Sequence, residues 1–157
     1  MVDMVRKVHK AARKSPALLE ASETVLAASA VGYVGQFQTT LAAANAGAAG
    51  LIHARRTADR AVVASTGTLA AGWPPVKSGI LAVTDRRLVL YTQSLRTFGP
   101  KELVGAWDRA DVHAIGVEPG KASEIVSVQF VDGSVAQMES IVTAKPALLA
   151  TAFSAGC

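Results

Sequence analysis

The chain has 157 residues, of which 50% are hydrophobic and 18% charged, enough for one packed domain and too apolar for intrinsic disorder over most of its length. Its net charge of +4 lies wholly before residue 61: eight Lys and Arg stand there against four Asp and Glu, and eight against eight follow. A single cysteine, Cys157, excludes an intrachain disulfide and every multi-cysteine metal motif, and it fits a reducing, cytoplasmic compartment.

The first fourteen residues hold five basic side chains and one acid, Asp3. Met1, Met4, Val5, Val8, Ala11 and Ala12 recur at the three-and-four spacing of a helix, and Arg6, Lys7, Lys10, Arg13 and Lys14 occupy the remaining faces. This basic amphipathic helix, residues 1–15, is expected to attract an acidic partner or an anionic membrane. It lacks the uninterrupted apolar stretch and cleavage site of a secretory signal, and it carries no aromatic residue to anchor it at a lipid interface.

Ser15-Pro16 ends the helix and opens a second, short one over 17–22, because proline disfavours helix in the residue before it and is tolerated at a first helical position. Residues 24–34 lack a helical stripe and are rich in β-branched residues, which predicts a strand with a bulge near Gly32. An Ala/Gly-rich insertion over about 36–78 follows, with a helix predicted over 39–64 and a Gly/Pro-rich loop over 65–78. Its apolar run is about twelve residues long, short of the roughly twenty that cross a membrane.

From residue 79 the pattern changes to short strands. Gly79-Ile80-Leu81-Ala82-Val83 and Arg87-Leu88-Val89-Leu90-Tyr91 flank a polar corner, Thr84-Asp85-Arg86. A loop over 94–102 leads to a strand over 103–107, and another strand follows over 112–117. Residues 125–131 and 134–138 enclose Asp132-Gly133, the signal of a type I′ hairpin with positive φ at both central residues. Lys145-Pro146 starts a closing helix whose Leu148, Leu149 and Phe153 cover one face of the sheet.

Three stretches resemble one family. Leu19-Glu20-Ala21-Ser22-Glu23-Thr24-Val25-Leu26-Ala27 is similar to a leading L-x-x-G-E-x-V-x-A segment, with Ser22 where that family tends to have glycine. Residues 79–91 resemble its G-x-L-x-V-T-D-x-R-L-x-x-Y hairpin, and Phe130-Val131-Asp132-Gly133-Ser134 its last turn. The chain thus resembles the pleckstrin-homology superfold in its bacterial and GRAM-like versions. The resemblance implies an α+β fold, a mainly antiparallel β-barrel or sheet with a C-terminal capping helix, spanning residues 16–157 around the insertion. It implies a binding module, for lipid headgroups or protein segments. Arg55, Arg56 and Arg60 in the insertion and Arg86 and Arg87 at the first hairpin corner are the candidate anion contacts.

Chemistry is sparse. Asp108 and Asp111 flank Arg109 and read as surface charges, and His9, His53 and His113 are far apart with no nucleophile in a recognisable turn. Gly116-Val117-Glu118-Pro119-Gly120-Lys121-Ala122 fails the phosphate-loop pattern in spacing and in lacking a hydroxyl after lysine. No enzyme activity, metal or cofactor is expected, and no nucleic-acid partner, since the sheet lacks aromatic stacking positions and a basic stripe. The expected function is therefore a non-enzymatic module that binds an anionic lipid surface, on the cytoplasmic side of a membrane, or a protein partner. The alternative is a structural protein that forms a homo-oligomer through its alanine-rich and N-terminal helices.

Overall fold

The computed structural model describes residues 3–34, 67–120 and 123–156. These build helix α1 (Met4–Lys14), strands β1 (Val25–Val31), β2 (Gly79–Thr84), β3 (Arg87–Gln93), β4 (Pro100–Asp108), β5 (Val112–Pro119), β6 (Ser123–Phe130) and β7 (Val135–Ile141), and helix α2 (Ala147–Ala155). The strands form two antiparallel meanders, β1-β2-β3-β4 and β5-β6-β7. The α+β class and the antiparallel pairing expected from the sequence are present.

A closed barrel is not. Among the described residues the sheets meet at a single bridge, where Gly32 N donates to Glu139 O at 2.8 Å and Glu139 N donates to Gly32 O at 2.9 Å. Beside it, side chains take the place of a backbone ladder: Ser140 Oγ donates to Ala30 O at 2.7 Å and lies 3.2 Å from Ser29 Oγ. On the other side β4 passes into β5 through a short 3-10 turn, Arg109–Asp111, and no ladder joins them among the described residues.

The two middle strands of the first sheet, β2 and β3, are buried on both faces, which is why β2 reads as a continuous apolar run rather than an alternating one. Leu81, Val83, Leu88 and Leu90 face inward to Val126, Val128 and Met138 of the second sheet and to Leu149 and Phe153 of α2. The other parity, Ile80, Ala82, Val89 and Tyr91, packs against Val8 of α1 and Leu18. The stripe predicted on the N-terminal helix is thus used to cover the outer face of the sheet, with Val8 wholly buried. Asp3 caps this helix by accepting from Arg6 N at 3.2 Å, and Arg13 and Lys14 oppose the negative end of its dipole. Inside, Trp73 and Trp107 stack at 4.3 Å with Phe130 edge-on to Trp73.

Several local expectations are corrected. The helix expected over 17–22 is a single 3-10 turn, Pro16–Leu18, because Leu19 is extended and Ser22 is left-handed with φ 66°. The bulge expected near Gly32 falls between Val25 and Ala27, and β1 ends at Val31. The loop after β3 is shorter than expected, since β4 begins at Pro100. In the last hairpin only Gly133 has positive φ; Gly133 N donates to Phe130 O and Phe130 N to Ser134 O, so the turn is a three-residue loop with a left-handed glycine rather than type I′. The reason is that the Asp132 carboxylate accepts from Ser134 Oγ at 2.5 Å, from Leu69 N at 2.7 Å and from Ser134 N at 2.9 Å, bonds that fix Asp132 at negative φ and hold its carboxyl below the usual range. On α2, Leu149 and Phe153 are buried as expected, but Leu148 is 54% exposed. The predicted alanine-rich helix lies outside the described residues.

Ser22 is exposed and stands where the resembled family has glycine. Left-handed backbone costs an L-residue about 1–2 kcal/mol, against about 0.5–1 kcal/mol for the extra chain entropy a glycine loses on folding. Ser22→Gly is therefore expected to stabilise the protein by about 0.5 kcal/mol. A urea midpoint that falls instead of rising would show that the Ser22 side chain makes a stabilising contact.

Candidate functional site

The candidate cations fall into three groups. Arg55, Arg56 and Arg60 lie outside the described residues. Arg86 and Arg87 sit at the β2–β3 corner, and the remaining five line α1.

The corner is built around one buried carboxylate. Thr84 is the last residue of β2, and its Oγ1 accepts from Arg86 N at 3.2 Å and Arg87 N at 2.9 Å, which closes the corner without positive φ. The same hydroxyl donates to Glu23 Oε1 at 2.7 Å. Arg87 meets Glu23 with a two-pronged fork, Nε to Oε1 and Nη2 to Oε2, both at 2.8 Å. Glu20 N adds a bond to Glu23 Oε2 at 2.8 Å, and the Glu20 carboxylate lies 3.2 Å from Arg87 and 3.8 Å from Arg86. Asp85 accepts from Thr24 N at 2.9 Å and ties the corner to the start of β1.

Electrostatics follow from this geometry. Burial alone pushes the Glu23 carboxyl up, but the bonds from Arg87, the Glu20 amide and Thr84 outweigh it and hold the group below its ordinary value. The bond to Glu23 pushes Arg87 up in turn. Nearby, burial pushes the Tyr91 phenol up, and its hydroxyl donates to Leu18 O at 2.8 Å. Arg87 is thus taken up by Glu23 and Glu20, and Arg86 lies 3.8 Å from Glu20.

The cations of α1 stand differently. Arg6 pairs with Asp3 at 3.3 Å, and Lys7 Nζ donates to Thr97 O at 2.9 Å in the β3–β4 loop. Lys10, Arg13 and Lys14 are exposed and form no ion pair among the described residues. Lys7, Lys10 and Lys14 share one stripe at three-and-four spacing, a cationic ridge about 10 Å long that starts against the β3–β4 loop.

Between the end of α1 and the segment before β1 lies an open groove of about 360 Å³, lined by His9, Ala12, Arg13, Pro16, Leu19 and Glu20 among others. Its titratable lining is Arg13, His9, Glu20 and Glu23, and Glu23 is already taken up by Arg87. No group of three His, Cys, Asp or Glu suited to a metal exists among the described residues, and no helix among them is long and apolar enough to cross a membrane.

Sequence reasoning missed two features. One is Glu23 as the partner of Arg87, 64 residues away, although both belong to the resembled motifs. The other is Arg109, which donates through Nη1 to Thr84 O at 2.8 Å and through Nη2 to Phe153 O, and lies 4.7 Å from the Phe153 ring centre. No family model matches the chain, and no curated protein matches its sequence.

Proposed function

We propose that the chain is a pleckstrin-homology-like, non-enzymatic module that docks on an anionic lipid surface through the exposed basic face of α1. The order of a four-stranded and a three-stranded antiparallel meander followed by a helix supports the fold assignment. One observation carries the docking assignment: the apolar side of α1 is already spent on the sheet, while Lys10, Arg13 and Lys14 face solvent without a carboxylate partner among the described residues. A helix held this way cannot sink into lipid on its own apolar face. Its cations act as a fixed array, each contributing about 1 kcal/mol near a surface bearing anionic lipid.

Co-sedimentation with vesicles of phosphatidylcholine, with and without phosphatidylserine, tests the reading. Binding is expected only with the anionic lipid, and raised salt reverses it. The triple variant Lys10→Glu, Arg13→Glu, Lys14→Glu is expected to weaken partitioning by about a hundredfold or more. Equal binding to neutral vesicles, or an unaffected triple variant, refutes the assignment. Absence of vesicle binding together with a mass in light scattering that is a constant multiple of the chain points to the oligomeric role instead.

A further inference from the structure

We infer that the loop joining β3 to β4 enters the boundary layer of that anionic membrane, led by Leu95 and Phe98; the inference rests on the lipid-docking reading above. Leu95 is 78% exposed and Phe98 58% exposed, three residues apart on the loop that Lys7 of α1 touches. Isolated apolar residues on a surface are ordinary, so the case rests on how these two are held and on what surrounds them.

They are held outward by a dense set of bonds. Phe98 N donates to Ser94 O at 2.7 Å, Ser94 N to Gly99 O at 2.9 Å, Thr97 N to Ser94 Oγ at 3.3 Å and Gln93 Nε2 to Phe98 O at 3.1 Å. Lys7 Nζ caps the Thr97 carbonyl and lies 5.7 Å from the centre of the Phe98 ring. Phe98 has φ 54°, an unfavourable state for a bulky residue, and it is kept there rather than folded inward. The loop is a preformed tip whose apolar side chains need no rearrangement to leave water.

The surrounding charge selects the occupant. Arg96 lies between the two apolar residues in sequence, Lys101 is exposed at the start of β4, and Lys7 stands at the base of the loop. Lys77 is exposed just before Ser78, which accepts through its carbonyl from Gln93 N at 2.9 Å and so belongs to the same end of the sheet. Against these four cations stands Glu102, while Asp3 is taken up by Arg6. Two protruding apolar side chains ringed by long basic ones fit a layer of anionic headgroups over hydrocarbon: the basic stems lie along the interface and the ring and leucine pass below it. A protein partner would need a pocket shaped to the tip, whereas a fluid lipid layer accommodates any convex shape. Phe98 also supplies the aromatic anchor that α1 lacks.

The test uses the full chain and two independent readouts. In the first, Leu95→Ser with Phe98→Ser is compared with wild type for partitioning onto phosphatidylserine-containing vesicles, with Leu148→Ser, at the exposed position on α2, as the control. Each truncated tip residue is expected to lower partitioning by about tenfold, with an unchanged melting curve, and the control to bind as wild type does. In the second, Phe98→Cys in a Cys157→Ser background carries an environment-sensitive fluorophore, and quenchers fixed at known depth in the acyl chains report insertion. Blue-shifted emission quenched from within the bilayer is expected. Wild-type binding with a water-exposed label, or an unaffected double variant, overturns the insertion and leaves the electrostatic docking standing. Failure of wild type to bind anionic vesicles overturns both, and capture of a soluble acidic peptide by the tip with no vesicle binding assigns it to a protein.

Discussion

Replacing Glu23 with alanine is expected to lower the unfolding free energy by about 3–5 kcal/mol, because it strips a buried ion pair of one partner rather than removing the pair. The Glu23 side chain is 0% exposed and that of Arg87 12%, so the guanidinium left behind cannot recover its water. Its remaining neighbour, Glu20, is 55% exposed and touches only one of its nitrogens, at 3.2 Å. The Thr84 hydroxyl and the Glu20 amide lose their acceptor in the same change. Glu23→Gln, which keeps the shape and one acceptor, is expected to cost less. The pair also sets a pH dependence. Glu23 is held below its ordinary value of 4.5, so its contribution is complete above that value and is lost as pH falls through the lower, folded one. Urea unfolding followed by circular dichroism should show wild type and Glu23→Gln far apart at neutral pH and converging in acid below 4.5. Parallel curves across that range would mean that the carboxylate charge contributes nothing to the fold.

The two flanks of this corner were legible in the sequence; its centre was not. Apolar runs around Thr84-Asp85 announce a hairpin from local composition alone, since strand and turn chemistry are short-range. Glu23 meets Arg87 across 64 residues, and only the packing of the segment before β1 onto the end of β2 brings them together. The same limit applies at Asp132, whose turn type was misjudged because its carboxylate reaches an amide 63 residues away. The barrel expectation failed at a comparable place: Ser29 and Ser140, 111 residues apart, meet where a backbone ladder would have closed the sheets. For the candidate site, the charge of α1 was plain from the first fourteen residues, but what its apolar side covers depends on the outer face of a sheet built from residues 79–93. The tip at Leu95 and Phe98 lay in a stretch read only as a loop, because exposure is a property of the folded chain.

Truncating Phe153 to alanine is expected to cost about 3–5 kcal/mol, the range for emptying a buried aromatic site. Helix α2 has only Thr151 and Ser154 as polar residues, so sequence periodicity says little about which leucine faces in; in the fold Leu149 and Phe153 enter the core between the sheets while Leu148 stays in water. With Phe153 gone, only Leu149 of that pair anchors the nine-residue helix Ala147–Ala155 to the interior, and the open side of the two sheets loses much of its cover. Arg109 adds a second attachment, bonding Thr84 O on one side and Phe153 O on the other, with its charge at the negative end of the helix dipole. Its ring contact and bonds are partly solvent-reached, so Arg109→Ala is expected to cost about 1–2 kcal/mol, and Arg109→Lys to recover little, since an ammonium cannot span both carbonyls. The order of the two effects separates the causes. A larger loss from Phe153→Ala means that the helix is held by burial with the arginine as a clasp; a larger loss from Arg109→Ala means that the clasp orders the helix and the ring follows it.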